Sequence, residues 1–178
     1  MEMADEDLIS RIRDRANDSK RQNSSRAPTR DRTLLPCPPA TLESLRQAEE
    51  QMGFALPPLL ERLYLEVGNG GFGPGFGLYG ISGGFAEDLQ GLTLPDLYIS
   101  ETGYDGWPNK LVSICDWGCT MGCAIDCSAP KGEMVFVGGP GELFQSEGIT
   151  FAQWMEDWVN GVDLFTRAHD RRTPRLAP

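Results

Sequence analysis

The sequence predicts an α+β fold on three observations. Strongly amphipathic helical stretches stand near 56–67 and 151–159, and between them lie three short apolar segments separated by Gly and Pro turns. At 178 residues the chain is long enough for one domain with extensions and a sizeable core.

In chain order, residues 7–18 form a short helix with Leu8, Ile9, Ile12 and Ala16 on one side. From Arg13 to Arg32 the chain is polar, charged and interrupted by Ser24, Ser25 and Pro28, so it reads as a linker. Pro36, Pro38 and Pro39 then mark the start of the domain. Thr41 is the N-cap of a helix to about Met52, with Leu42, Leu45, Ala48 and Met52 expected to face inward and Gly53 to end it.

The next helix is the clearest. Leu56, Leu59, Leu60, Leu63, Tyr64 and Val67 make one apolar stripe; Pro57 and Pro58 stand at its start, and Gly68-Asn69-Gly70 closes it. The short connection makes the two helices a hairpin. A glycine-rich elbow, 71–77, leads to an expected strand at Leu78–Ile81. Residues 85–105 carry a helix near 95–101 beside loops. Leu111–Asp116, Cys123–Cys127 and Glu133–Val137 read as strands. In the last helix Thr150 and Gln153 form a capping box, and Phe151, Trp154, Met155, Trp158 and Val159 form the buried stripe before Asn160-Gly161.

Charge is divided unevenly. The net charge is −10, but residues 41–160 hold four basic residues (Arg46, Arg62, Lys110, Lys131) against seventeen Asp and Glu, a net of −13. Such a field repels nucleic acid and steers basic proteins inward. No apolar run approaches the ~20 residues of a membrane span, and the acidic N-terminus lacks a secretory pattern, so the expected setting is cytoplasmic.

Cys115, Cys119, Cys123 and Cys127 recur every fourth residue and invite a metal reading. Zinc needs its thiolates ~2.3 Å from one point, whereas strand residues four apart are separated by ~13 Å. Gly118 and Gly122 instead suggest a turn that brings Cys115 near Cys123, and buried thiols acting as small apolar side chains need the fewest assumptions. No metal or cofactor is assigned. The G-x-G-x-x-G matches at Gly68/Gly70/Gly73 and Gly75/Gly77/Gly80 follow a helix and precede a strand, the reverse of the dinucleotide order. The single histidine, His169, lies in the basic tail, and no carboxylate pair has catalytic spacing, so no enzymatic activity is expected. Tyr104-Asp105-Gly106-Trp107 and Asp116-Trp117 each join an aromatic ring to a carboxylate. If exposed, Asp105, Trp107, Asp116 and Trp117 make the best contact surface in the chain.

Ala48 to Pro58, AEEQMGFALPP, with Asn69-Gly70 after the second helix and Phe151 and Trp154 in the last, resembles the signature of the SUKH superfamily. Its members include a yeast cell-wall assembly regulator and many bacterial toxin-immunity proteins. LVSICDWGCTMGCAID, 111–126, is similar to the central strands of bacterial members. The resemblance implies a central, mostly antiparallel sheet flanked by helices. It also implies structural roles for Glu49, Leu56, Pro57, Asn69, Gly70 and Trp154. The expected division is a charged N-terminal arm over 1–35, the SUKH-like domain over 36–165 and a basic tail over 166–178. The function implied is non-catalytic: an immunity protein that neutralises a cognate toxin, often a nuclease, through an acidic surface, or alternatively an intracellular regulatory scaffold. The expected partner is a basic protein, with neither nucleic acid nor membrane.

Overall fold

A computed structural model describes residues 2–18, 35–86, 90–138 and 143–170. Helix α1 (Glu2–Ala16) is followed by α2 (Leu42–Met52), α3 (Pro58–Glu66) and α4 (Leu94–Thr102). Strands β1 (Leu111–Gly118), β2 (Met121–Asp126), β3 (Glu133–Val137) and β4 (Phe144–Thr150) come next, then helices α5 (Phe151–Val159) and α6 (Leu164–Asp170). The strands form one antiparallel meander in the order β1-β2-β3-β4. The fold is α+β, with helices flanking a central sheet.

Strand alternation divides the sheet into two faces. Val112, Cys115, Cys123, Ile125, Met134 and Phe136 enter the core with buried residues of α1, α2, α3 and α5. Ser113, Asp116, Gly122 and Val137 line a cleft on the other face, which α4 partly covers.

The helix ends follow local chemistry. Thr41 Oγ1 accepts from Ser44 N–H at 3.1 Å in a capping box, and Gly53 ends α2 at φ 84°. Leu42, expected inside, is 51% exposed; it is the first residue after the cap, at the end of the helix, where the core reaches Leu45, Ala48 and Met52 but not position 42. Thr150 and Gln153 make the expected capping box on α5.

Helix α1 is not an appendage. Leu8, Ile9, Ile12 and Ala16 are buried in the common core. The Arg15 guanidinium lies 4.7 Å from the centroid of Trp158 and donates to Val159 O at 3.2 Å. Arg11 grips Glu156 through two bonds of 2.7 and 2.8 Å. The core therefore extends N-terminally beyond the 36–165 range read from the sequence. Most of the linker expected after α1 lies outside the described residues.

The glycine elbow covers the free edge of β1. Phe76 N–H donates to Asp116 O at 2.9 Å and Tyr79 N–H to Ile114 O at 2.8 Å. A Cβ on Gly75 would stand 2.4 Å from Asp116 O, so only glycine permits this approach. The strand expected at Leu78–Ile81 does not form a ladder, because Ile81 N–H is taken by the Asn69 side chain at 2.8 Å.

Two elements were absent from the sequence reading. Strand β4, FQSEGIT, is polar and contains Gly148; its pairing with β3, through Val135–Ser146 and Val137–Phe144, determines it. Helix α6, only seven residues long, starts where Asp163 Oδ1 accepts from Thr166 N–H at 2.9 Å and is held by buried Leu164 and Ala168. It occupies part of the range read as tail.

Candidate functional site

A cleft of about 760 Å³ opens between α4, the glycine elbow and the outer face of β1–β2. Phe76, Leu97, Met121 and Val137 give it an apolar lining, while Glu101, Ser113 and Asp116 supply the polar groups. Among the described residues its lining has two carboxylates and no Lys, Arg or His side chain. The ring of Trp107 forms one boundary; its indole N–H donates to Leu111 O at 2.9 Å and it packs edge-on against Phe144 at 5.1 Å. Beyond this ring lies a smaller hollow of about 210 Å³ lined by Leu111, Asp126, Val135 and Phe144.

The four aromatic and acidic residues singled out in the sequence divide. Trp107 and Asp116 line the same cleft, and Asp105 is exposed on the loop that delivers Trp107. Asp116 Oδ1 accepts from Gly118 N–H at 2.6 Å, which shapes the β1–β2 turn as well as placing a charge. Trp117 must be corrected: it is 2% exposed, on the opposite face from Asp116, because consecutive strand residues alternate. Its N–H donates to Cys123 Sγ at 3.1 Å and its ring lies 5.7 Å from that of Phe165. It packs behind the strand that carries Asp116. Tyr104, on the loop that carries Trp107, is 68% exposed, and Ile99 and Leu143 are also exposed.

Between β1 and β2 a two-residue turn places Cys119 and Thr120 at φ 53° and 63°. This is the geometry that Asn-Gly normally supplies, and the β-branched Thr120 carries strain of roughly 1 kcal/mol there. The strained tip stands at the mouth of the cleft. The cysteines do not converge on one point: Cys115 faces Cys123 across the strands, Cys119 is exposed at the tip and Cys127 lies beyond β2. Among the described residues no group of three or more His, Cys, Asp or Glu side chains is placed to hold a metal ion. Burial, reinforced by Cys115 and Glu147, pushes the Cys123 thiol well up, so it is an inert core group.

The site residue missed in the sequence is Glu101. Ser113 Oγ donates to its Oε1 at 2.6 Å, while Oε2 is buried with no hydrogen-bond partner among the described residues. Burial raises its pKa to about 7, against the smaller lowering effect of Ser113. A single acid on a helix carries no spacing signal, and only the docking of α4 onto β1 creates its environment.

Folding stability must therefore fall as pH rises from the unfolded value of 4.5 to about 7, where the folded form retains a proton that the unfolded chain releases. Glu101→Gln removes this penalty. The expected outcome is a gain of roughly 1–3 kcal/mol at pH 8 and no gain at pH 4, read by urea unfolding at both pH values. A loss at pH 8 would refute the account.

The residues singled out as structural sit away from the cleft's polar groups. Glu49 Oε1 accepts from Leu56 N–H at 2.7 Å, fixing the loop that leads through Pro57 into α3. Asn69 is buried and donates through Nδ2 to Ile81 O and Ser82 O at 3.3 and 3.1 Å while accepting from Ile81 N–H. Gly70, at φ 75°, lies so near the elbow that a Cβ would meet Leu78 O at 2.5 Å. Trp154 is fully buried and stacks on Phe151 at 6.2 Å.

Among the described residues no helix is long and apolar enough to cross a membrane. The family model described as SMI1 / KNR4 family (SUKH-1) matches residues 39–161, from the proline-rich segment before α2 to the end of α5. No curated protein matches the chain.

Proposed function

The chain belongs to the SMI1 / KNR4 family (SUKH-1), and from that premise we propose that it is a non-catalytic protein-binding domain, an immunity protein that neutralises a cognate basic toxin. The observation that carries the reading is the cleft between α4 and the outer sheet face. It is large, bounded by the Trp107 ring, and among the described residues its charged side chains are Glu101 and Asp116. Aromatic anchors beside unopposed carboxylates suit a partner whose own contact surface is basic, such as the substrate groove of a nuclease. The −13 net charge of residues 41–160 supplies long-range steering toward such a surface.

Co-expression with the toxin candidate encoded beside the gene tests the role. The protein is expected to prevent growth arrest. Asp105→Lys combined with Asp116→Asn is expected to weaken toxin binding at least tenfold, about 1.4 kcal/mol, with an unchanged melting midpoint. Asparagine at 116 keeps the acceptor for Gly118 N–H and removes only the charge. Full protection by the double variant would eliminate this surface, and absence of protection by the native chain would eliminate the role.

A further inference from the structure

Glu101 is an unusual group for a domain to retain. One oxygen is satisfied by Ser113, and the other is buried without a donor, an arrangement that costs stability in the free protein. Among the described residues nothing in the cleft offsets it: the lining holds no Lys, Arg or His, Arg62 is paired with Glu66 and Glu6, and the Lys110 ammonium lies over Phe54. No described residue supplies the missing charge.

We propose that the cleft is a socket for a cationic side chain of the bound protein, arginine above all, with Glu101 as its counter-ion and the Trp107 ring as its flank. This inference rests on the protein-binding reading and names the chemistry of its central contact. A guanidinium presents a planar fork to a carboxylate, stacks on an indole and is weakly hydrated, so it tolerates a half-enclosed site better than an ammonium. Leu97, Met121 and Val137 are placed to cover its methylene stem, and Asp116 adds a second negative charge. Among the described residues the other titratable groups facing the space are Tyr79 of the elbow and Cys119 of the turn, and neither is a cation. With the Glu101 pKa at about 7, the empty site holds a proton that an incoming cation displaces. Binding therefore strengthens as pH rises through neutrality.

The test uses the full chain and N-acetyl-arginine amide as the probe, with the Trp107 indole N–H resonance as the readout. Its neutral isostere N-acetyl-citrulline amide and N-acetyl-lysine amide serve as comparators. A saturable shift is expected with the arginine probe, at least fivefold weaker binding with lysine, and no saturable shift with citrulline. Affinity should be several-fold higher at pH 8 than at pH 5.5. Glu101→Gln should weaken binding tenfold or more while raising the melting midpoint at pH 8, a combination that a purely structural residue would not produce. Ser113→Ala should weaken it a few-fold by releasing the carboxylate. Equal shifts with arginine and citrulline, no saturable shift with arginine, or unchanged binding in Glu101→Gln would each overturn the socket. The probe is independent of any toxin, so its failure leaves the co-expression result to judge the immunity role separately.

Discussion

Asn69→Ala is expected to lower the free energy of unfolding by about 3 kcal/mol, measured by urea denaturation. The amide makes three hydrogen bonds from a nearly water-free position. It accepts from Ile81 N–H at 2.8 Å and donates to Ile81 O and Ser82 O. Truncation leaves the buried Ile81 N–H without its partner and removes the donors to Ser82 O and to Ile81 O, the latter keeping Gly84 N–H at 2.8 Å. The cost of the unsatisfied buried amide exceeds the net gain of the bond it replaces. Gly80 and Gly84 crowd the same amide, since a Cβ on either would approach Asn69 Oδ1 to 2.8 and 2.4 Å. The surroundings are therefore built around this one side chain. Asn69→Asp is expected to be at least as damaging, because it keeps the bond from Ile81 N–H but turns both donated bonds into oxygen–oxygen repulsions. A loss below 1 kcal/mol for both variants would show that the elbow is held by its backbone bonds alone. The consequence for the site is direct: the elbow supplies Phe76 and Tyr79 to the cleft, so a loosened elbow opens its floor.

The second large effect is expected at Arg167. Its guanidinium joins Glu147, which is 3% exposed on β4, to Asp157 on α5, with the Glu147 contact at 3.3 Å. Cys123 Sγ donates to the other Glu147 oxygen at 3.5 Å, and Cys123 in turn receives the Trp117 N–H. Arg167→Met leaves the Glu147 carboxylate in the interior without that positive charge, and a loss of about 3–4 kcal/mol follows. The paired variant Glu147→Gln/Arg167→Met should recover part of the loss, since a neutral amide at 147 does not need the Arg167 cation in the way a buried carboxylate does. An additive double variant would refute this explanation. The chain of contacts also holds Trp117 on the inner side of the same strand that presents Asp116 to the cleft.

Much of this architecture was legible because it is written in local signals. The stripe from Leu56 to Val67, the proline start and the glycine stop all act within one or two turns, and α3 runs from Pro58 to Glu66 accordingly. The capping residues at Thr41 and Thr150 are equally local. So is the turn between Cys115 and Cys123, which places those thiols opposite each other. Strand β4 was not legible, since Gln145, Ser146, Glu147 and Gly148 favour no strand until β3 offers them partners. Trp117 was misplaced for a simpler reason: a strand turns adjacent side chains to opposite faces, so Asp116 and Trp117 could never share a contact patch.

By itself the sequence determined helices α2, α3 and α5, the caps at Thr41 and Thr150, the glycine elbow, the family signature and the acidity of the central region, because each depends on neighbours a few residues away or on composition alone. Only the tertiary structure decided that α1 belongs to the core, that Glu147 is buried beside Arg167, and that Glu101 faces Ser113 with one oxygen unanswered. Burial and charge pairing are properties of surfaces brought together from distant parts of the chain, and no local pattern encodes which carboxylate will be removed from water.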